Sequence, residues 1–161
     1  MPTTKMEQLV GIYTRELVCF QRMLAFANEQ AKCVAVSNFT VLSEILERRQ
    51  GLADEINGLA AEAQVAAQGL ATDLALPEAN LSNLRLRLPE AVVAPLERAL
   101  AQLREVAEEI QAIDAKCEAE VRQAMQGLRG EMSNVQRGQT AMRAYKNAPQ
   151  PHDARFIDKQ K

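Results

Sequence analysis

Tryptophan is absent from this chain, histidine occurs once, and aromatic side chains make up only 4% of its 161 residues. A sandwich or barrel core is a poor fit to that composition. With only His152 available, a bundle di-iron centre, which needs Glu-x-x-His pairs from facing helices, is ruled out, and there is no histidine that a fold would hold against a nucleophile. His152 itself lies between Pro151 and Asp153 in an end expected to be solvated. The cysteines Cys19, Cys33 and Cys117 are odd in number and lack C-x-x-C spacing, so neither a disulfide framework nor a zinc site is indicated, and reduced thiols in a cytosol fit best. No apolar run approaches the ~20 residues of a membrane span. The opening MPTTKMEQ lacks a basic-then-apolar signal region, Pro2 stands where myristoylation needs glycine, and the last residues form no prenylation box. GLRGEMS offers two glycines without the lysine of a phosphate-binding loop. Glu108 and Glu109 are neighbours in sequence, so on a helix they diverge instead of converging on one substrate atom. These absences lead to the expectation of a protein that is not an enzyme and holds no cofactor or metal.

What the chain has is alanine, leucine, glutamine and glutamate in the proportions of long packed helices, at a length that suits one domain. Charge is unevenly placed: residues 1–136 carry 13 Lys/Arg against 19 Asp/Glu, and residues 137–161 carry 6 against 2. The net +4 of the end is too diffuse for a nucleic-acid interface, which would show a clustered basic stripe. Neither nucleic-acid binding nor membrane insertion is therefore expected.

Apolar residues recur at alternating steps of three and four along Met6, Val10, Tyr13, Leu17, Phe20, Leu24, Ala27, Ala31 and Val34, the period of one helix face. SNFTVLSEI interrupts it, with Ser37 and Asn38 placed to cap a new helix. A second seam runs through Leu42, Ile45, Arg49, Leu52, Ile56, Leu59, Ala63, Ala66 and Leu70. Arg49 breaks it, and the favoured reading is a long stem packed at the seam with its guanidinium reaching outward, over a buried ion pair that fixes register. Pro77 and Pro89 bound a connecting segment in which Leu81, Leu84 and Leu88 predict a short helix. A third seam begins with Pro95 at its first helical position and runs from Leu96 through Leu103, Ile110 and Cys117 to Val135. Gly127, Gly130 and Gly138 weaken its end, predicting a bend or a looser helix over 128–146. The expected fold is all-α: an elongated antiparallel bundle of three long helices, a short connecting helix and a loosely specified C-terminal helix. The domain spans 1–146, and 147–161 is read as a flexible basic tail.

The remaining candidate for function is an interaction surface. Leu128, Met132, Val135, Met142 and Tyr145 share roughly one side of the last helix, interrupted by Gln139, and methionine suits a surface that repacks against several partners. The same stripe would serve equally if the helix simply packed on the bundle. Phe156 and Ile157, in ARFIDKQK, are the apolar residues of a candidate docking motif on the tail, against plain disorder.

A long first helix, then SNFTVLSEILERRQGLADEI, then LSNLRLRLPE, then a helix opening PLERALAQLREVAEEIQAI together resemble the FlgN-type flagellar export chaperones, with the FliT type close behind. The family's second helix has the form L-x-x-I/L-L-x-x-R/K-x-x-L, matched by Leu42, Ile45, Leu46, Arg49 and Leu52. Midway along the third helix, where members often carry asparagines, this chain reads IDAKCEAEV. The resemblance implies a cytosolic type III export chaperone, a monomer or small homo-oligomer. Its clients would be the disordered C-terminal helices of flagellar hook-associated (filament-junction) proteins, held back from premature assembly and presented to the export apparatus. Residues 128–146 would then form the movable wall of the client groove. The alternative is a coiled-coil scaffold that self-associates through its heptad seams.

Overall fold

The computed structural model describes residues 1–146; the tail assigned to 147–161, with Phe156, Ile157 and His152, lies outside them. The described residues form four helices: α1 (Pro2–Ala35), α2 (Phe39–Asp73), α3 (Leu81–Arg85) and α4 (Glu90–Lys146). They contain no strand, so the all-α expectation holds. The chain divides into two compact units, Met1–Glu118 and the residues from Ala119 onward.

In the first unit the helix boundaries follow from local chemistry. Pro2 sits in the first turn of α1, where its missing N–H costs nothing. At the other end of α1, Ser37 adopts φ 55°, its N–H bonds to the Val34 carbonyl at 3.2 Å, and the Asn38 N–H bonds to the Cys33 carbonyl at 2.9 Å. That pair of bonds is a Schellman closure with serine in the left-handed position usually given to glycine. Asn38 then caps α2, its Oδ1 accepting the Val41 N–H at 3.4 Å. The end of α2 repeats the device: Ala75 has φ 52°, and the Leu76 N–H reaches the Ala71 carbonyl at 2.9 Å. Asn80 caps α3 by accepting the Asn83 N–H at 2.8 Å.

Ion pairs set the relative direction of the helices. Lys5 meets Asp73 at 2.6 Å and Arg15 meets Glu62 at 2.8 Å, so α1 and α2 run antiparallel. Arg49 reaches Gln30 of α1 and Asp114 of α4. Asp114 lies 24 residues after the start of α4 (114 − 90) and Arg49 lies 24 before the end of α2 (73 − 49), so α4 also runs antiparallel to α2 through this unit. The core draws Leu9 and Ile12 from α1, Leu52 and Leu70 from α2, Leu84 from α3, and Val93, Leu96 and Ile110 from α4.

Three sequence expectations shift. The buried line of α1 is Met6, Leu9, Ile12, Glu16, Cys19, Met23, Ala27 and Cys33, about one residue before the seam of stronger hydrophobes; Tyr13, Phe20 and Leu24 are only half-buried. Hydropathy overlooks this line because Glu16 interrupts it and the adjacent line of Tyr13, Leu17, Phe20 and Leu24 is bulkier and more uniformly apolar. Helix α4 begins at Glu90, not Pro95, which lies inside it. Burial of Val93 with no exposed surface extends the helix backward and compensates for the one backbone hydrogen bond that Pro95 cannot donate. The glycines near the end do not divide α4, which continues unbroken to Lys146.

Candidate functional site

The second unit is described by one stretch of helix, residues 119–146 of α4. Exposure changes character here. Val121 is half-buried, and from Arg122 to Lys146 every side chain is exposed except Ser133 and Thr140, which are half-buried. Met125, Leu128, Met132, Val135 and Met142 are each between 51% and 59% exposed. At ~100° per residue they fall within about 100° of one another around the helix, with Gln139 among them. Tyr145, 94% exposed, stands at the edge of this face, about 60° from Met142. The structure thus brings Leu128, Met132, Val135 and Met142 onto one line, places Tyr145 at its margin, and adds Met125. Met125 was legible in the sequence one step from Ala124, at the same three-four period.

A line of five apolar residues on a helix face with nothing over it among the described residues is a feature that soluble chains normally bury or use. Small concavities do not account for it. The hollow beside Met142 and Tyr145 holds about 270 Å³, and its walls among the described residues are Ala141, Met142, Tyr145 and Lys146, all from one helix. In the first unit an open cleft of about 590 Å³ lies between α1 and α2, where Gly58, Ala61 and Gly69 leave room beside Ile12 and Val65.

Two polar groups of the first unit are drawn in from solvent, Arg49 and Glu16. Arg49 is turned inward, correcting the outward-reaching reading. Its Nη1 and Nη2 each donate to Asp114 at 2.7 Å, Nη1 also donates to Gln30 Oε1, and Nε lies 3.2 Å from Met23 Sδ. The Arg49 side chain is 16% exposed and that of Asp114 38%. The hydrogen bond to Asp114 holds the guanidinium even more firmly charged, against the opposing pull of burial. Two turns before Met23 on the buried line of α1, Glu16 is only 9% exposed and its Oε2 has no hydrogen-bond partner among the described residues. Burial pushes its carboxyl above the ordinary value, raises the nearby Tyr13 hydroxyl with help from the Glu16 charge, and raises the Cys19 thiol with a further contribution from Glu55. Among the described residues no group of three or more His, Cys, Asp or Glu side chains could hold a metal ion, and no helix is long and apolar enough to cross a membrane.

A family model described as FlgN protein matches residues 1–152. The chain belongs to the FlgN family. No curated protein and no solved structure matches it at a significant level. As a FlgN protein it is a flagellar export chaperone, and its bare helix face is read in that light. The family's second-helix pattern places a basic residue at Arg49, and in this FlgN chain Asp114 is the carboxylate that pairs with it.

Proposed function

We propose that this FlgN chain holds the disordered C-terminal helical segments of flagellar hook-associated proteins in the cytoplasm, prevents their premature assembly and delivers them to the type III export apparatus. It does so by binding alone, without catalysis, as a monomer or small homo-oligomer. The observation that carries this reading is the uncovered apolar face of residues 125–142, because an amphipathic client helix needs a complementary face against which to order. Ordering a disordered client consumes part of the contact energy, which keeps capture reversible, as delivery requires.

The test is Met142→Asp combined with Tyr145→Ala. Both side chains are exposed, so helicity by circular dichroism should be nearly unchanged while capture of a filament-junction C-terminal peptide is abolished. Peptide binding as tight as the parent's would refute the assignment of this face. The heptad period of the same face also supports self-association as a scaffold, and sedimentation separates the two readings: a chaperone stays small, whereas a scaffold grows with concentration.

A further inference from the structure

The face at 125–142 has two unlike edges. With Leu128 taken as zero, Arg129 lies at ~100° and Arg143 at ~60°, along one border of the apolar line. On the other border stand Ala124, Glu131 and Gly138, at ~−40° to −80°, with Tyr145 beyond them at ~−100°. Neither Arg129 nor Arg143 has an ion-pair partner among the described residues, and both are exposed. Residues 119–146 carry five basic side chains (Arg122, Arg129, Arg137, Arg143, Lys146) against two acidic ones (Glu120, Glu131), for a net +3. Residues 1–118 carry 11 basic against 17 acidic, for a net −6. Of the two described stretches, the one with the exposed apolar face is thus the one whose net charge is positive.

We infer that this surface selects a client helix by charge as well as by apolar spacing: an amphipathic helix whose border facing Arg129 and Arg143 carries Asp or Glu at seven-residue intervals. The inference rests on the docking role proposed above and names the chemistry of the occupant. A second copy of the chain is a poor occupant. Antiparallel pairing of two such faces sets arginine borders together, and parallel pairing sets Arg129 and Arg143 against Ala124 and Gly138, so neither arrangement neutralises them. An acidic border does, and it leaves the small residues on the opposite border free to admit bulkier side chains.

The experiment uses the full chain and two synthetic helical peptides of about seven turns with the same leucine line. One has glutamate at every seventh position along one border, the other lysine. By fluorescence anisotropy in low salt, the glutamate peptide should bind about tenfold tighter or more, two exposed pairs and the loss of two repulsions acting together. The preference should shrink as salt is raised, and Arg129→Glu with Arg143→Glu should invert it. Equal affinity for the two peptides would overturn the inference. If Met132→Asp with Val135→Asp then still removed binding of both, the docking face itself would stand. Binding indifferent to Met132→Asp and Val135→Asp would sink the docking reading and this inference together. A dimer of the chain alone that is broken by those same substitutions would overturn it in favour of self-pairing.

Discussion

Arg49 and Asp114 are a pair whose removal one partner at a time should be costly. The guanidinium is mostly withdrawn from water and its geometry is two-pronged, so Asp114→Ala leaves a cation facing Gln30 and Met23 without its countercharge. A loss of about 2 kcal/mol is expected in chemical denaturation followed by circular dichroism, below the full penalty for a buried pair because Asp114 is partly solvated. Arg49→Met combined with Asp114→Leu should recover most of it, since an apolar pair of similar volume carries no desolvation cost. The sequence showed Arg49 as a violation and Asp114 as a departure from family habit, but no single-chain pattern joins positions 65 residues apart. Glu16 makes the opposite prediction. Its folded-state carboxyl titrates above its ordinary value of 4.5 because burial disfavours the charge, so folding takes up protons and stability falls as pH rises from 4.5 through the raised value. Glu16→Leu should therefore stabilise the chain by about 1–3 kcal/mol at neutral pH, with the part due to ionisation vanishing near pH 4. Equal gains at pH 4 and pH 7 would contradict the assigned ionisation.

Helix ends offer a cleaner test than helix centres. Ala75 and Ser37 occupy left-handed positions in two Schellman closures, where a Cβ costs roughly 1 kcal/mol or more relative to glycine. Ala75→Gly should raise the unfolding midpoint, the gain being somewhat reduced by glycine's freer unfolded chain. Ser37→Gly should act alike. These closures were only half legible beforehand: Asn38 announced a cap through its side chain, whereas nothing in alanine announces a left-handed residue. The second and third seams were readable because leucine and isoleucine dominate them. The buried line of α1 was hidden by Glu16 and by the bulkier neighbouring line of Tyr13, Leu17, Phe20 and Leu24; which of the two is covered depends on the other helices. The start of α4 was misplaced for the same reason, because proline's local rule yields to the packing of Val93.

At the scale of the molecule, burial among the described residues ends at Cys117, well before α4 does. A chain stopped after Gln126 keeps Glu118 and Arg122 and, of the described residues, loses only exposed or half-buried ones, so its unfolding free energy should match the parent's within about 0.5 kcal/mol while its helical signal drops. A destabilisation of several kcal/mol would show that residues beyond Gln126 carry core contacts. The candidate face was legible as a stripe, and five of its seven nominated residues fall on described helix, but whether a stripe is covered is a property of three-dimensional neighbours and not of period. Its arginine border became meaningful only once that absence of cover was known.

Gly127, Gly130 and Gly138 sit in this uncovered helix with open space where each Cβ would go, so sterics do not require any of them. Each lowers helix propensity by about 1 kcal/mol relative to alanine. The segment is consequently tuned to melt and re-form on its own, and its amide protons should exchange orders of magnitude faster than those of Leu52 or Leu70. Gly130→Ala, on the side away from the apolar line, should stiffen it and raise client affinity about fivefold, mainly by slowing dissociation. For a client held as proposed above, such weak handholds would shorten its stay on the helix.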